Sequence, residues 1–324
     1  MGSMVHLALG PFEVDWGKNN SLRLHGEIYQ PGDVTSVPDV YVGEDNQRFT
    51  KLQTGTSKPL AKVLPRLELL GYTLEAARAE FDSLIDAFAR GELDDGWVQP
   101  ETISNSIGDV RRFLIVTEGS SDAHIIRRAF ELLRPEIADF FSFVDMQEGY
   151  PFTGTGNLHK FSQGLVAIGI ENRVIVLYDN DLEGSLRFRD TSGLNLPAMR
   201  VIHLPSLPQL AQFRSVGPHG EAMADINGRA AAIECYLDLA FGRGRKDPEP
   251  AVRWTAYNER AEAYQGVLEF KQKYAKRFLN LRTRDSNYDF SRLEAVLEHI
   301  VASCVSMAAA GKLTESGLEL ERRL

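Results

Sequence analysis

Two short apolar runs that stop at acids constrain this chain more than anything else in it. Phe113-Leu114-Ile115-Val116-Thr117 ends at Glu118, and 61 residues further on Val174-Ile175-Val176-Leu177-Tyr178 ends at Asp179-Asn180-Asp181. Runs this short, rich in β-branched and aromatic residues and without a polar alternation, are strands covered on both faces, as in a parallel sheet. Open parallel sheets carry their sites beyond the carboxyl ends of the strands, so both runs deliver acids to one edge. Carboxylates gathered there repel unless a cation joins them. Hard oxygen donors suit Mg²⁺ or Mn²⁺, which orient a phosphodiester, acidify bound water and neutralise a leaving oxygen. The pattern points to phosphoryl-transfer chemistry.

The surrounding sequence alternates in the same sense. It predicts a strand at 113–117, a helix at 121–133, a strand at 140–145, a helix at 157–169, and strands at 173–178 and 199–204. Such alternation implies a parallel sheet with right-handed crossovers. Asp225 is placed to cap a further helix carrying Ile226, Ala230, Ile233, Leu237 and Ala240, and beyond the breakers of 242–250 helical patterns return over 253–281 and 290–310. Upstream, Gly10-Pro11, Gly17, Pro31-Gly32, Pro38 and Gly43 cut residues 4–50 into pieces suited to small strands. Leu60, Val63, Leu64, Leu67 and Leu70 then predict a helix that Gly71 ends, Thr73 caps a second helix reaching Phe88, and 97–110 reads as a linker.

Glu118-Gly119-Ser120-Ser121-Asp122, followed by Asp179-Asn180-Asp181-Leu182-Glu183-Gly184, resembles the Toprim fold shared by topoisomerases, bacterial primases, a ribosomal RNA maturase and the overcoming-lysogenization-defect nucleases. Leu9-Gly10-Pro11-Phe12-Glu13-Val14-Asp15-Trp16-Gly17-Lys18-Asn19 and Leu64-Pro65-Arg66-Leu67-Glu68-Leu69-Leu70-Gly71-Tyr72 resemble the N-terminal region of HEPN/Toprim-associated proteins. The resemblance implies an α/β fold, a Toprim-type parallel sheet flanked by helices, with an α+β N-terminal domain over 4–108, a Toprim catalytic domain over 109–242 and a helical C-terminal region over 243–324. It also implies that Glu118 ligates a metal or moves a proton, that Asp179 and Asp181 hold the catalytic ion, and that Asp122 serves a second one. Glu183 and Gly184 complete the motif, and Lys271 or Lys276 is expected to stabilise a pentavalent phosphate.

Most of these residues also have a plainer use. Glu118, Asp122 and Glu183 are acids at helix N-termini, where the macrodipole favours them, and Asp181 can simply cap a helix. Glu234 lies in an apolar segment, where it either faces the metal centre or occupies an exposed stripe. Gly154 and Gly156 fall in a glycine-bearing strand-to-helix turn able to aim N–H groups at a phosphate, though without the Lys-Ser/Thr ending of a P-loop. Lys271, Lys273, Lys276, Arg277, Arg282 and Arg284, interleaved with Tyr274 and Phe278, form either a strip that tracks phosphates or a solvated face. Arg292 and His299 have the spacing of a HEPN ribonuclease pair but stand outside the N-terminal region, so HEPN chemistry is not assigned.

A net charge of −9 argues against nonspecific coating of nucleic acid, which needs a basic surface. Cys235 and Cys304 stand alone, so neither a disulfide framework nor a zinc site is expected, and both are read as buried thiols. No apolar stretch is expected to span a bilayer, and the chain is read as cytoplasmic without a membrane partner. Together these features lead to the expectation of a Mg²⁺- or Mn²⁺-dependent endonuclease acting on RNA or DNA, a toxin-like effector of anti-phage defence, with a regulatory protein or a second copy as further partner. The alternative is a regulatory module that binds nucleic acid or nucleotide without cutting.

Overall fold

The computed structural model describes residues 113–144, 154–170, 172–194, 196–218, 220–245 and 247–323, six strands between residues 5 and 50, and residues 65, 68, 69 and 71. The chain divides into two compact units, one of Met1–Arg111 with Ala308–Leu324 and one of Arg112–Met307. In the first, β1 (Val5–Leu9), β2 (Phe12–Trp16), β3 (Leu22–Leu24) and β4 (Glu27–Tyr29) form an antiparallel sheet in that order, and β5 (Val40–Val42) pairs with β6 (Arg48–Thr50). These are the small strands that the glycines and prolines predict. The helices expected over 60–88 and the linker at 97–110 lie outside the described residues, apart from Pro65, Glu68 and Leu69, which are helical, and Gly71. Gly71 turns the chain at a φ of +95°, which glycine alone adopts cheaply, and its N–H donates to the Glu68 carbonyl at 2.9 Å.

The second unit is built on a four-stranded parallel sheet in the order β11-β9-β7-β8, with β7 at Phe113–Thr117, β8 at Phe141–Phe143, β9 at Val174–Tyr178 and β11 at Met199–His203. Helices α1 (Ser120–Leu133), α2 (Thr155–Ala167) and α3 (Leu182–Ser192) make the connections. Every residue of β9 is buried, as a strand covered on both faces requires. Val174, Val176 and Tyr178 pack with Val116, Leu158, Leu165 and Met199 on one face. Elsewhere Phe130 of α1 stacks on Phe141 with ring centroids 4.1 Å apart. The α1 sequence buries Ala123, Ile126, Ala129, Phe130 and Leu133, the spacing of an amphipathic helix.

The polypeptide after β11 departs from expectation. The helix expected from Asp225 is absent; Ala230–Ala231 form β14, which pairs antiparallel with β10 (Asn180–Asp181), and Ile233–Tyr236 make a single 3-10 turn. The helical reading of 253–281 holds only for α4 (Lys271–Leu279). Val252–Asn258 (β15) and Ala263–Leu268 (β16) instead form a hairpin, joined through β12 (Phe213–Gly217) and β13 (Gly220–Ala224) into a sheet of order β13-β12-β15-β16. The residues over 252–268 are rich in Val, Trp, Thr and Tyr, and cross-strand pairs such as Tyr257 with Tyr264 outweigh the weak helical periodicity. The C-terminal region is therefore not purely helical. Its last helix, α5 (Ser291–Arg323), includes Ser291–Gly311, which by length and composition is apolar enough to cross a bilayer and so corrects the expectation of no such stretch. Leu293, Val296, Leu297, Ile300 and Cys304 of that stretch are buried within the protein.

Gly266 in β16 sets how closely this hairpin seats. A Cβ there would meet Val252 Cγ1 at 2.6 Å, Ala230 Cβ at 2.8 Å and Trp254 Cε3 at 2.9 Å, so β16 can lie against β14 only without a side chain. Gly266→Ala should destabilise the protein by roughly 1–3 kcal/mol, as overpacking does. Gly244→Ala, where nothing lies within 4 Å, should leave the thermal midpoint unchanged; equal midpoints for the two variants would refute this packing.

Candidate functional site

The register of the parallel sheet sets the acids at one edge. Thr117 pairs with Leu177, so Glu118 and Asp179 leave adjacent strands within one residue of each other in height, and Glu118 Oε1 accepts the Asp179 N–H at 3.0 Å. The chain after β9 stays extended through Asp181, whose Oδ1 then accepts the Gly184 N–H at 2.7 Å and caps α3. Gly184 has to be glycine, because a Cβ would collide with the Asp179 carbonyl oxygen and stand 3.0 Å from Glu118 Oε1. That close approach presses the α3 N-terminus onto both acids. Asp122 turns back along the first turn of α1 and accepts the Gly119 N–H at 3.0 Å. The Glu234 side chain comes from the 3-10 turn, accepts Ser121 Oγ at 3.4 Å, and sits 4.0 Å from Lys271 Nζ.

Electrostatics bind these groups into one cluster. Burial first, then Asp181, Asp122 and Glu183, push the Glu118 carboxyl up to about 8 against the help of the Asp179 N–H. Burial and the neighbouring Glu234 push Asp122 up to about 7, partly offset by the Gly119 N–H and Lys271. Asp179 is raised well above the usual carboxylate range by burial and by Asp122, Glu118, Asp181 and Glu234, although its Oδ1 accepts the Ile233 N–H at 3.2 Å. Asp181 is raised by burial and held back by Gly184 and Gln265. Among the described residues no three His, Cys, Asp or Glu side chains close on a shared metal-ligand geometry. Backbone N–H groups of Asp179, Gly119, Ile233 and Gly184 instead take one oxygen each from Glu118, Asp122, Asp179 and Asp181.

The structure thus gathers Glu118, Asp122, Asp179, Asp181, Glu183, Glu234 and Lys271. At 3% exposure Glu234 is no surface stripe residue, and it stands on a 3-10 turn rather than on a helix. Thr155 Oγ1 donates to Glu183 Oε1 at 2.6 Å, which ties the start of α2 to the cluster. Gly154, at a φ of +97°, donates its N–H to the Glu118 carbonyl at 3.1 Å, and Gly156 lies in the first turn of α2. Of the basic strip, Lys273 and Arg277 go to Asp247 at 2.7 and 2.9 Å and hold its carboxyl below the usual range, while Lys276 is exposed. Arg292 donates to the carbonyls of Cys235 and Leu237, a buttress for the turn that carries Glu234. Both cysteines are buried and free.

One site residue escaped the sequence entirely. Gln265 of β16 donates Nε2 to Asp181 Oδ2 at 2.6 Å, while its Oε1 accepts the Leu182 and Glu183 N–H groups at 3.0 and 3.2 Å. A lone glutamine 84 residues from its partner leaves no local signal. Ser121 and Thr155 stand beside motif residues, yet their bonds to Glu234 and Glu183 span 113 and 28 residues.

Residues 1–113 match the family described as HEPN/Toprim N-terminal domain 1, which supports the association that the N-terminal motifs suggested. Comparison with curated proteins and with solved structures gave no match.

Carboxyl groups raised in the folded state bind more protons there than in the unfolded chain, so between the unfolded carboxylate range and pH 8 stability must fall as pH rises. In chelator, the thermal midpoint should therefore drop steadily from pH 5 to pH 8. Asp122→Asn, which keeps an oxygen for the Gly119 N–H but removes the charge, should flatten that slope and raise the midpoint at pH 8. A midpoint that climbs over this range would contradict the clustering.

Proposed function

We propose that Arg112–Met307 is a Toprim-type unit that hydrolyses nucleic-acid phosphodiesters with the help of Mg²⁺ or Mn²⁺. The observation that carries this reading is the convergence of Glu118 and Asp179 from adjacent parallel strands with Asp122, Asp181, Glu183 and Glu234, where burial and the neighbouring acids disfavour ionisation of Glu118, Asp122 and Asp179. An all-carboxylate donor set of this kind fits a hard divalent cation. Among the described residues no three of these side chains share one ligand point, so Glu118, Asp179 and Asp181 would hold the cation by turning their carboxylates onto it, with Asp122, Glu183 and Glu234 as the proposed further ligands. When bound, the cation supplies charge neutralisation on the phosphate and a water acidified toward neutral pH.

The remaining work falls to the chain itself. Glu118 has Oε1 anchored on the Asp179 N–H, so Oε2 is the atom left to hold the ion or move a proton at the scissile oxygen. Lys271, half-exposed at the rim and 4.0 Å from Glu234, brings positive charge to the phosphoryl oxygens as negative charge builds there. Gln265 clamps Asp181 to the α3 N-terminus and keeps it from swinging away. The N-terminal match supports a role as a toxin-like effector of anti-phage defence.

Purified protein incubated with separate labelled transfer RNA, single-stranded DNA and plasmid should cut at least one pool with Mg²⁺ or Mn²⁺ and none in chelator. Glu118→Gln and Asp179→Asn should each lower the rate at least about 100-fold, the scale of a lost proton-transfer or charge-stabilising group. Lys271→Ala should lower it less. Pools left intact in every condition would favour the non-cleaving module instead.

A further inference from the structure

A groove opens beside the acids, between α3 and the β15–β16 hairpin, with a volume of about 400 Å³. Glu183 and Gln265 form its inner end, and both belong to the acid cluster through the bonds described above. Its outer walls carry Arg187 and Asp190 from α3 and Tyr257, Asn258 and Arg260 from the hairpin. Tyr257 is 52% exposed and meets Tyr264, 43% exposed, edge to face at 5.0 Å. The second ring braces the first, so Tyr257 offers a steady aromatic surface to whatever enters. Arg260 makes no ion pair among the described residues, and Arg187 has only a long, exposed one to Asp190 at 3.4 Å. An aromatic platform and two guanidinium groups thus lead directly into a carboxylate cluster. The volume lies in the range that takes one nucleoside-sized ligand.

We infer that this groove seats an unpaired nucleotide next to the scissile phosphate, which makes the substrate of the unit a single-stranded nucleic acid. The inference rests on the phosphodiesterase reading above. An unpaired base has a π-face to stack on Tyr257, whereas a base in a duplex has both faces covered by its neighbours. Arg187 and Arg260 then face the phosphates on either side, where their charge offsets the repulsion that the acids exert on the same strand. None of these contacts reads base identity or the 2′-hydroxyl, so RNA and DNA strands share this chemistry.

The test uses the full chain carrying Glu118→Gln, with Mg²⁺, and measures fluorescence anisotropy of a labelled 12-nucleotide RNA, the DNA of the same sequence, and the blunt duplex of each. Single strands should bind at least tenfold tighter than duplexes. Adding Tyr257→Ala should weaken single-strand binding about 5-fold or more, the usual worth of a base stacked on an aromatic ring, while Tyr257→Phe should retain it. The stronger of the RNA and DNA arms names the natural strand, and either supports the inference. Cutting by otherwise wild-type protein and by Tyr257→Ala is followed in parallel. Single-strand binding that needs the ring, with no cutting, would keep the groove and discard the phosphodiesterase. Duplexes bound as tightly as single strands, or a Tyr257→Ala protein that binds and cuts like wild type, would overturn the groove and leave the phosphodiesterase standing. The exposure of Tyr257 allows the variant to fold, and an unchanged thermal midpoint verifies that.

Discussion

Carboxylates that burial has drawn together repel, and most of the site's architecture answers that repulsion. Each of Glu118, Asp122, Asp179 and Asp181 has one oxygen on a backbone N–H, and those N–H groups come from strand ends, helix starts and the turn before Glu234. Such bonds to charged acceptors are roughly twice as strong as neutral ones, which is why the acids can be held off water at all. They do not complete the neutralisation. Burial first, and then the neighbouring carboxylates, hold Glu118 and Asp122 above the usual carboxylate range, so at neutral pH protons do part of the work that a bound cation would do.

The parallel sheet provides the rigid half of this arrangement. Two-sided burial of β7 and β9 locks their register, and the register aligns Glu118 with Asp179. Gly184 then lets α3 approach to backbone contact, so the N-terminal end of a helix faces the acids. The second sheet provides the other half. Its hairpin reaches the site because Gly266 seats it against β14, and β14 in turn pairs with the strand that holds Asp181. Gln265 and Tyr257 come in on that hairpin, so the same element borders the acid cluster and the groove in which a strand of substrate is proposed to lie.

Legibility in the sequence followed the range of the interactions. Between residues 113 and 203 the four strands, α1 and α2 fell within a few residues of expectation, because apolar runs act over one element, whereas α3 was anticipated only as the helix that Asp181 could cap. Glu118, Asp179 and Asp181 were readable for a related reason, since an acid at the end of an apolar strand announces its position by itself. The segment from 225 to 268 was misread where local propensity competes with pairing: Ala230 and Ala231 would suit a helix, yet β10 recruits them, and cross-strand contacts override the helical spacing at 253–268. Glu234 was left between two readings until its burial decided the matter.

By itself the sequence determined that a parallel sheet carries acids at its carboxyl edge, that the cysteines are lone buried thiols, and that the N-terminal residues build small strands, since each of these depends on residues near one another in the chain. Only the tertiary structure decided that Lys271 joins the acids while Lys273 and Arg277 turn to Asp247, that Gln265 clamps Asp181, and that a tyrosine-bearing groove opens beside them. Those contacts join residues tens of positions apart. Their partners are chosen by where packed elements bring side chains together, which no local pattern encodes.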